Sequence, residues 1–174
     1  MIDLRNKKDI DIFFMNQALE EAKKAFNQEE VPIGAVLVKD HEVIARAHNS
    51  VETFKDATMH AELLCIRKGS LYLQNWRLLN TTLYVTLEPC SMCLGALLLA
   101  RVTRIVWGAS DIRHGACGSW VNLLELKHPT HSLEIEKGVL EPQCALLLKD
   151  FFRLRRVKHE KSRADGEGFS SLIG

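Results

Sequence analysis

No stretch of this 174-residue chain approaches the ~20 consecutive apolar residues of a membrane span, which excludes a helical membrane protein. Residues 1–8 (Met1 to Lys8) have neither the apolar core nor the small-residue cleavage site of a secretory signal. Charge of either sign is not in excess. A net charge of +1 gives no whole-molecule case for binding nucleic acid, so any such case has to be local. The cysteines number five, an odd count, and one close pair has metal-ligand spacing, so a reducing, cytoplasmic setting is expected rather than a disulfide framework. There is no internal repeat and no linker that would split the chain. What is there is ordinary for a globular protein, with 47% hydrophobic and 26% charged residues. A chain of this length buries roughly 70% of its unfolded surface as one domain. That domain is read over residues 1–158, with residues 159–174 as a polar, frayed tail.

Met15, Ala18, Leu19, Ala22, Ala25 and Phe26 recur with the period of one helical face, which predicts a helix over 11–26, with Glu20, Glu21, Lys23 and Lys24 on the wet side. Two β-rich runs at 33–38 and 43–45, joined by a short polar turn, predict a hairpin. A helix is expected from Met59 to Lys68, stopped by Gly69. Residues 83–87 and 103–107 read as parallel strands around a helix that Pro89 opens. Residues 108–132 form a long functional loop or hide a short helix near 121–126. A last strand at 133–137 and a last helix over 142–158 complete the pattern.

The stretch from His60 to Cys93 carries the chemistry. Cys90 and Cys93 are three apart at a helix start, so their sulfurs face the same way and the helix N-terminus favours their thiolates. His60 and Glu62 are two apart, which on a regular helix turns them ~200° from each other. They share a site only if His60 lies at the helix entry. One imidazole and two sulfurs suit Zn²⁺, and three protein ligands leave a fourth tetrahedral position open, as in catalytic sites. Zinc with two thiolates and a neutral imidazole sums to zero charge, a mild Lewis acid that needs a base beside it. Glu62 is that base. A C-x-x-C alone reads equally as a redox pair or a structural site. No aromatic-Cys-x-Pro-Cys pattern supports the first, and a fourth ligand for the second would have to come from Cys65, Cys117, His48 or His114, none at fixed spacing. Cys65, Cys117 and Cys144 read as small buried hydrophobes.

His60-Ala61-Glu62 followed by Pro89-Cys90-Ser91-Met92-Cys93 is the general H-x-E…P-C-x-x-C pattern of nucleobase deaminases, in which an activated water attacks an amidine-like carbon and the Glu moves the protons. The residues Val31 to Val36, His48-Asn49, Leu83 to Cys90, Gly108 to Asp111 and Asp150 to Arg156 also stand in the order and spacing of one branch. In these the chain resembles the bacterial tRNA adenosine deaminases of the cytidine deaminase superfamily, from the first helix to about Arg156. The resemblance implies a three-layer α/β/α sandwich with a mixed five-stranded sheet, a homodimer, one zinc ion per subunit, and conversion of adenosine to inosine at the wobble position of a tRNA anticodon stem-loop. It implies that Asn49 hydrogen-bonds the flipped base and that Asp111 contacts a neighbouring sugar, where a carboxylate that accepts from a 2′-hydroxyl helps choose RNA. Each has a plainer reading as well, Asn49 as a turn cap and Asp111 as a cap after the fourth strand. One position departs from the family: Ala57 stands where a proline is common before the histidine.

Lys149, Arg153 and Arg156 fall at i, i+4 and i+7 of the last helix, opposite Leu147, Phe151 and Leu154. From Lys149 to Arg163 there are seven Lys/Arg and two Asp/Glu, a local charge of 7 − 2 = +5. Such a stripe either neutralises phosphates or is a solvated face. Phe152 either stacks on a base or packs on a dimer partner. Three functions are weighed: the RNA deaminase, a deaminase of a free base or nucleoside of the guanine or cytidine type, and an inert zinc-stabilised RNA-binding subunit. The basic helix argues against the second and Glu62 against the third.

Overall fold

Residues 34–38 are buried on both faces of an inner strand because both of those faces are apolar. The computed structural model describes residues 6–126 and 128–170, with side chains as far as Glu160 in the last helix. The chain runs α1 (Lys7–Asn27), β1 (Gly34–Lys39), β2 (Glu42–His48), α2 (Val51–Phe54), α3 (Ala61–Leu73), β3 (Thr81–Leu87), α4 (Ser91–Leu99), β4 (Arg104–Ala109), a single 3-10 turn at Leu123–Glu125, β5 (Glu134–Lys137) and α5 (Glu141–Ser170). The five strands lie in the order β2-β1-β3-β4-β5. β1 is antiparallel to both β2 and β3, whereas β3, β4 and β5 are mutually parallel. This is the expected mixed five-stranded sheet.

Alternation along β1 divides the core in two. Val36 and Val38 join Tyr84 and Val106 beneath Phe14, Met15, Ala18 and Leu19 of α1 and Cys144 of α5. Ala35 and Leu37 join Leu83, Val85 and Ile105 beneath Ala61 and Cys65 of α3 and Leu97 of α4. The three layers are thus α1 and α5, the sheet, and α3 and α4. Gly34 is required where α1 meets β1, since a Cβ there would strike the backbone of Ala18 and Ala22. At the other end of α1, Asp11 accepts both Arg104 guanidinium nitrogens at 2.7 and 2.8 Å, and the Tyr84 hydroxyl at 3.0 Å. This buried pair ties the helix to the start of β4.

Several local expectations change. α1 begins at Lys7 because Asn6 caps it, its side chain accepting from the Lys8 N–H. Glu21 is not on the wet side. It is buried, bonded to Lys24 at 2.6 Å and to His48 Nδ1 at 3.3 Å. Gly69 does not stop α3. It lies inside the helix, where a Cβ would run into Leu37, and the helix ends instead at Gln74 in a left-handed conformation. Pro89 precedes the cap of α4 rather than opening its first turn. Leu154 is exposed, because α5 has by then passed Phe151, its last buried residue among those whose side chains are described. α5 also continues past Lys158 to Ser170, through a stretch without proline, and residues 171–174 of the expected tail lie outside the described residues. Among the described residues no helix is long and apolar enough to cross a membrane.

Candidate metal centre and active site

The parallel strands β3 and β4 end at the same edge of the sheet at which β1 begins and β2 ends. At such an edge, where the strand direction switches, α/β folds present ligand sites. Asn49 follows β2, the Pro89-Cys90 pair follows β3 by one residue, and Asp111 follows β4. Sequence positions up to 62 residues apart are brought together by topology alone (Asn49 to Asp111).

His60 is the N-cap of α3, with extended backbone at φ −79° and ψ 149°. That break in helical geometry lets His60 and Glu62 serve one site. Cys90 is likewise the N-cap of α4 and Cys93 lies in its first turn. Cys90 Sγ and Cys93 Sγ stand 3.7 and 3.5 Å from His60 Nδ1. A tetrahedral metal held by bonds of about 2.3 Å to sulfur and 2.0–2.1 Å to nitrogen places those atoms about 3.6 Å apart. The donor set therefore fits a metal ion in both chemistry and spacing. Among the described residues, these three alone make up a group able to hold one. None of the other residues weighed as a fourth ligand joins that group, and three of them are engaged or exposed elsewhere. Cys65 donates to the Ala35 carbonyl at 3.3 Å, His48 is bonded to Glu21 and Gln28, and His114 is exposed beside Asp111. Burial pushes the thiols of Cys117 and Cys144 up to about 12.

The hydrogen bond with Cys93 pulls the Cys90 thiol down to about 4, against the effect of burial. The same contact, with burial, pushes Cys93 up. Glu62 is only 4% exposed, and its Oε2 is buried with no hydrogen-bond partner. Burial raises its carboxyl to about 7, with His60 opposing and Cys90 reinforcing that shift. An acid balanced between its two forms near neutral pH, with one oxygen unclaimed and electrostatic contact to all three ligands, is suited to carrying protons.

Asn49 is buried, and its Oδ1 accepts the Ala61 N–H at 3.0 Å. Asn49 thus caps no turn of its own but satisfies the first N–H of α3, the helix that carries Glu62. Its Nδ2 group keeps two donors. In place of the family's proline at 57, the Asp56 carboxylate accepts the Thr58 hydroxyl at 2.7 Å and the Thr58 N–H at 2.8 Å, bonds that hold its carboxyl below the usual range. A side-chain turn does the work of a fixed φ. Asp111 Oδ1 likewise accepts the N–H groups of Arg113 and His114 at 2.9 and 3.2 Å, so it too caps its turn.

On α5, Lys149, Arg153 and Arg156 are exposed, with Arg153 paired to Asp150 at 3.0 Å. Phe152 is 45% exposed and lies edge-on to Phe151. Two cations outside that stripe, Arg155 and Lys158, bond Glu29 at the end of α1. The next residue, the buried Glu30, accepts the Glu52 and Thr53 N–H groups at 3.0 and 2.6 Å. This chain of contacts brings the basic helix to the segment between Asn49 and His60. Besides Asp11, two buried carboxylates have no role assigned from the sequence. One is Glu30, and the other is Glu88, which accepts the Cys117, Ser119 and Asp111 N–H groups at 2.9, 3.2 and 3.1 Å. For Glu88 the available signal was a carboxylate directly before Pro-Cys.

Residues 9–156 match the MafB19-like deaminase family. The chain is 48% identical over 153 residues to the tRNA-specific adenosine deaminase of Bacillus subtilis (strain 168), covering 88% of this chain and 95% of that protein. It is 49% identical over 165 residues to a chloroplastic tRNA(adenine(34)) deaminase of Arabidopsis thaliana, covering 86% of this chain and 13% of that longer protein. A solved structure from studies of A-to-I editing by tRNA:A34 deaminases at the wobble position of transfer RNA superposes with a TM-score of 0.73 at 42% identity, over 78% of this chain and 99% of that one.

Proposed function

We propose that this chain, which belongs to the MafB19-like deaminase family and within it to the tRNA-specific adenosine deaminases, hydrolyses adenosine to inosine at the wobble position of a tRNA anticodon. The observation that carries the chemistry is the three-membered group of His60, Cys90 and Cys93 beside the buried Glu62, whose Oε2 has no hydrogen-bond partner. Those three residues would hold Zn²⁺, which when bound makes a water more acidic. Everything else falls to the side chains. Glu62 takes one proton from the attacking water and gives it to the ring nitrogen, then carries the second, from the hydroxyl added to the carbon, to the amino group, which leaves as ammonia. Asn49, its Oδ1 fixed on Ala61, turns Nδ2 donors to the flipped base. Asp111 accepts from the neighbouring ribose, while Phe152 offers a stacking face and Lys149, Arg153 and Arg156 offer charge to phosphates.

The partner RNA is an anticodon stem-loop, and the working assembly is a homodimer. A groove lined by Leu98, Leu123, Leu126, Leu133 and Ile135, with Leu126 71% exposed, supports a second copy as the cover of that face. The proposed location is the cytoplasm, where tRNA is found and thiolate ligands stay reduced.

The test is incubation with total tRNA followed by sequencing, with adenosine-to-inosine change expected at the wobble base. An anticodon stem-loop should be turned over and free adenosine hardly at all. Equal turnover of the two would move the assignment to the free-nucleoside class. Replacing Lys149, Arg153 and Arg156 together by Gln should weaken stem-loop binding and flatten its dependence on salt, by up to about 0.7 in log–log slope for each phosphate no longer neutralised. An unchanged slope would make that helix scaffolding.

A further inference from the structure

We infer that Glu88 is a positioning residue: it braces residues 111–119 as one wall of the substrate pocket and thereby sets how tightly the RNA is held. The inference rests on the deaminase reading above, and it assigns a part to a carboxylate that touches neither metal nor base.

Glu88 is 3% exposed, and both its oxygens are spent on backbone N–H groups of one loop. Oε2 takes Asp111 at 3.1 Å, and Oε1 takes Cys117 at 2.9 Å and Ser119 at 3.2 Å. A carboxylate is acceptor-only, so three converging N–H groups match it in a way that no neutral side chain reproduces. The Glu88 N–H itself is bonded to the Ala109 carbonyl at 2.8 Å, so the brace is anchored to the end of β4.

The loop is then laid against the ligand-bearing segment. The Ala116 N–H donates to the Pro89 carbonyl at 2.9 Å, and Gly115 pairs with Cys90 in an isolated antiparallel bridge. Gly115 fits this place because it has no side chain. A Cβ there would stand 2.5 Å from the Glu88 carboxyl carbon and 2.5 Å from the Asp111 carbonyl. The Gly115 carbonyl in turn accepts the Trp120 and Val121 N–H groups, each at 3.1 Å, which leaves the Trp120 side chain 61% exposed on the braced loop. Glu88 therefore fixes in one stroke the backbone of Asp111 and the base of the Trp120 turn. Neither residue holds the metal, so the consequence falls on substrate binding more than on the chemical step.

The experiment is steady-state deamination of an anticodon stem-loop by Glu88→Gln and Gly115→Ala, with metal content and amide hydrogen exchange measured on the same samples. Gln keeps the size of the side chain but points an NH₂ group at an N–H donor. Ala at 115 pushes the loop off an intact carboxylate. Both variants are expected to keep their metal, to exchange the amides of Asp111, Cys117 and Ser119 faster, and to raise KM about ten-fold with kcat within a few-fold, the size of one or two backbone hydrogen bonds. An unchanged KM in a variant whose three amides exchange faster overturns the inference. So does unchanged exchange, and so does a loss confined to kcat or to metal content. Should Glu88→Gln fail to fold, Gly115→Ala decides alone by the same criteria. Failure of the deaminase reading itself is distinguishable, since the unmodified chain would then not deaminate the stem-loop.

Discussion

Glu62→Gln should keep the fold and the metal and lose about 10²–10⁴ in the rate of deamination, the contribution expected of a positioned general acid–base. The substitution is isosteric at a site only 4% exposed, and it leaves His60, Cys90 and Cys93 untouched. What it removes is the ability to take up and release a proton. The carboxyl that burial has raised to about 7 is poised for both directions of transfer, and an amide is poised for neither. Replacing a buried acid by a neutral group also relieves a desolvation cost, so the melting temperature should not fall. Single-turnover kinetics on an anticodon stem-loop, with metal analysis of the same preparation, separates the outcomes. Wild-type rates in a metal-replete variant would remove Glu62 from the mechanism.

Cys90→Ala should have the larger effect, because it removes the metal as well as the rate. Cys90 caps α4 and His60 caps α3, so an ion held between them would join the N-termini of the two helices. With one ligand of three gone, metal content should drop to background and activity below that of Glu62→Gln. A chelator should lower the melting temperature of the unmodified protein toward that of Cys90→Ala and leave the variant's own melting temperature unchanged. His60→Ala should behave in the same way. A Cys90→Ala protein that keeps one metal per chain would show that the ion is bound elsewhere.

Much of this site was legible in the chain, and the reason is that its parts are local. The i, i+3 spacing of Cys90 and Cys93, the helix entry at His60 and the two-residue offset to Glu62 are short-range facts, and short-range geometry carries over from sequence to structure. The same holds for the apolar face of α1 and the alternation along β1. Gly69 misled because a glycine near the end of a helical pattern resembles a stop signal, whereas its use here is to admit Leu37 of the neighbouring strand. Glu21 misled because its position on α1 predicts water, whereas His48 of β2 meets it there.

By itself the sequence determined the candidate ligands, their spacing, the candidate proton carrier and the periodicities that make helices and strands. Tertiary structure alone decided which partners hold the remaining polar groups. Glu88 finds its three donors 23 to 31 residues further on, and Asn49 caps a helix 12 residues away. A buried carboxylate or amide is defined by the partners that replace its water. Those partners are set by how the sheet brings strand ends together, and no spacing in the chain encodes them.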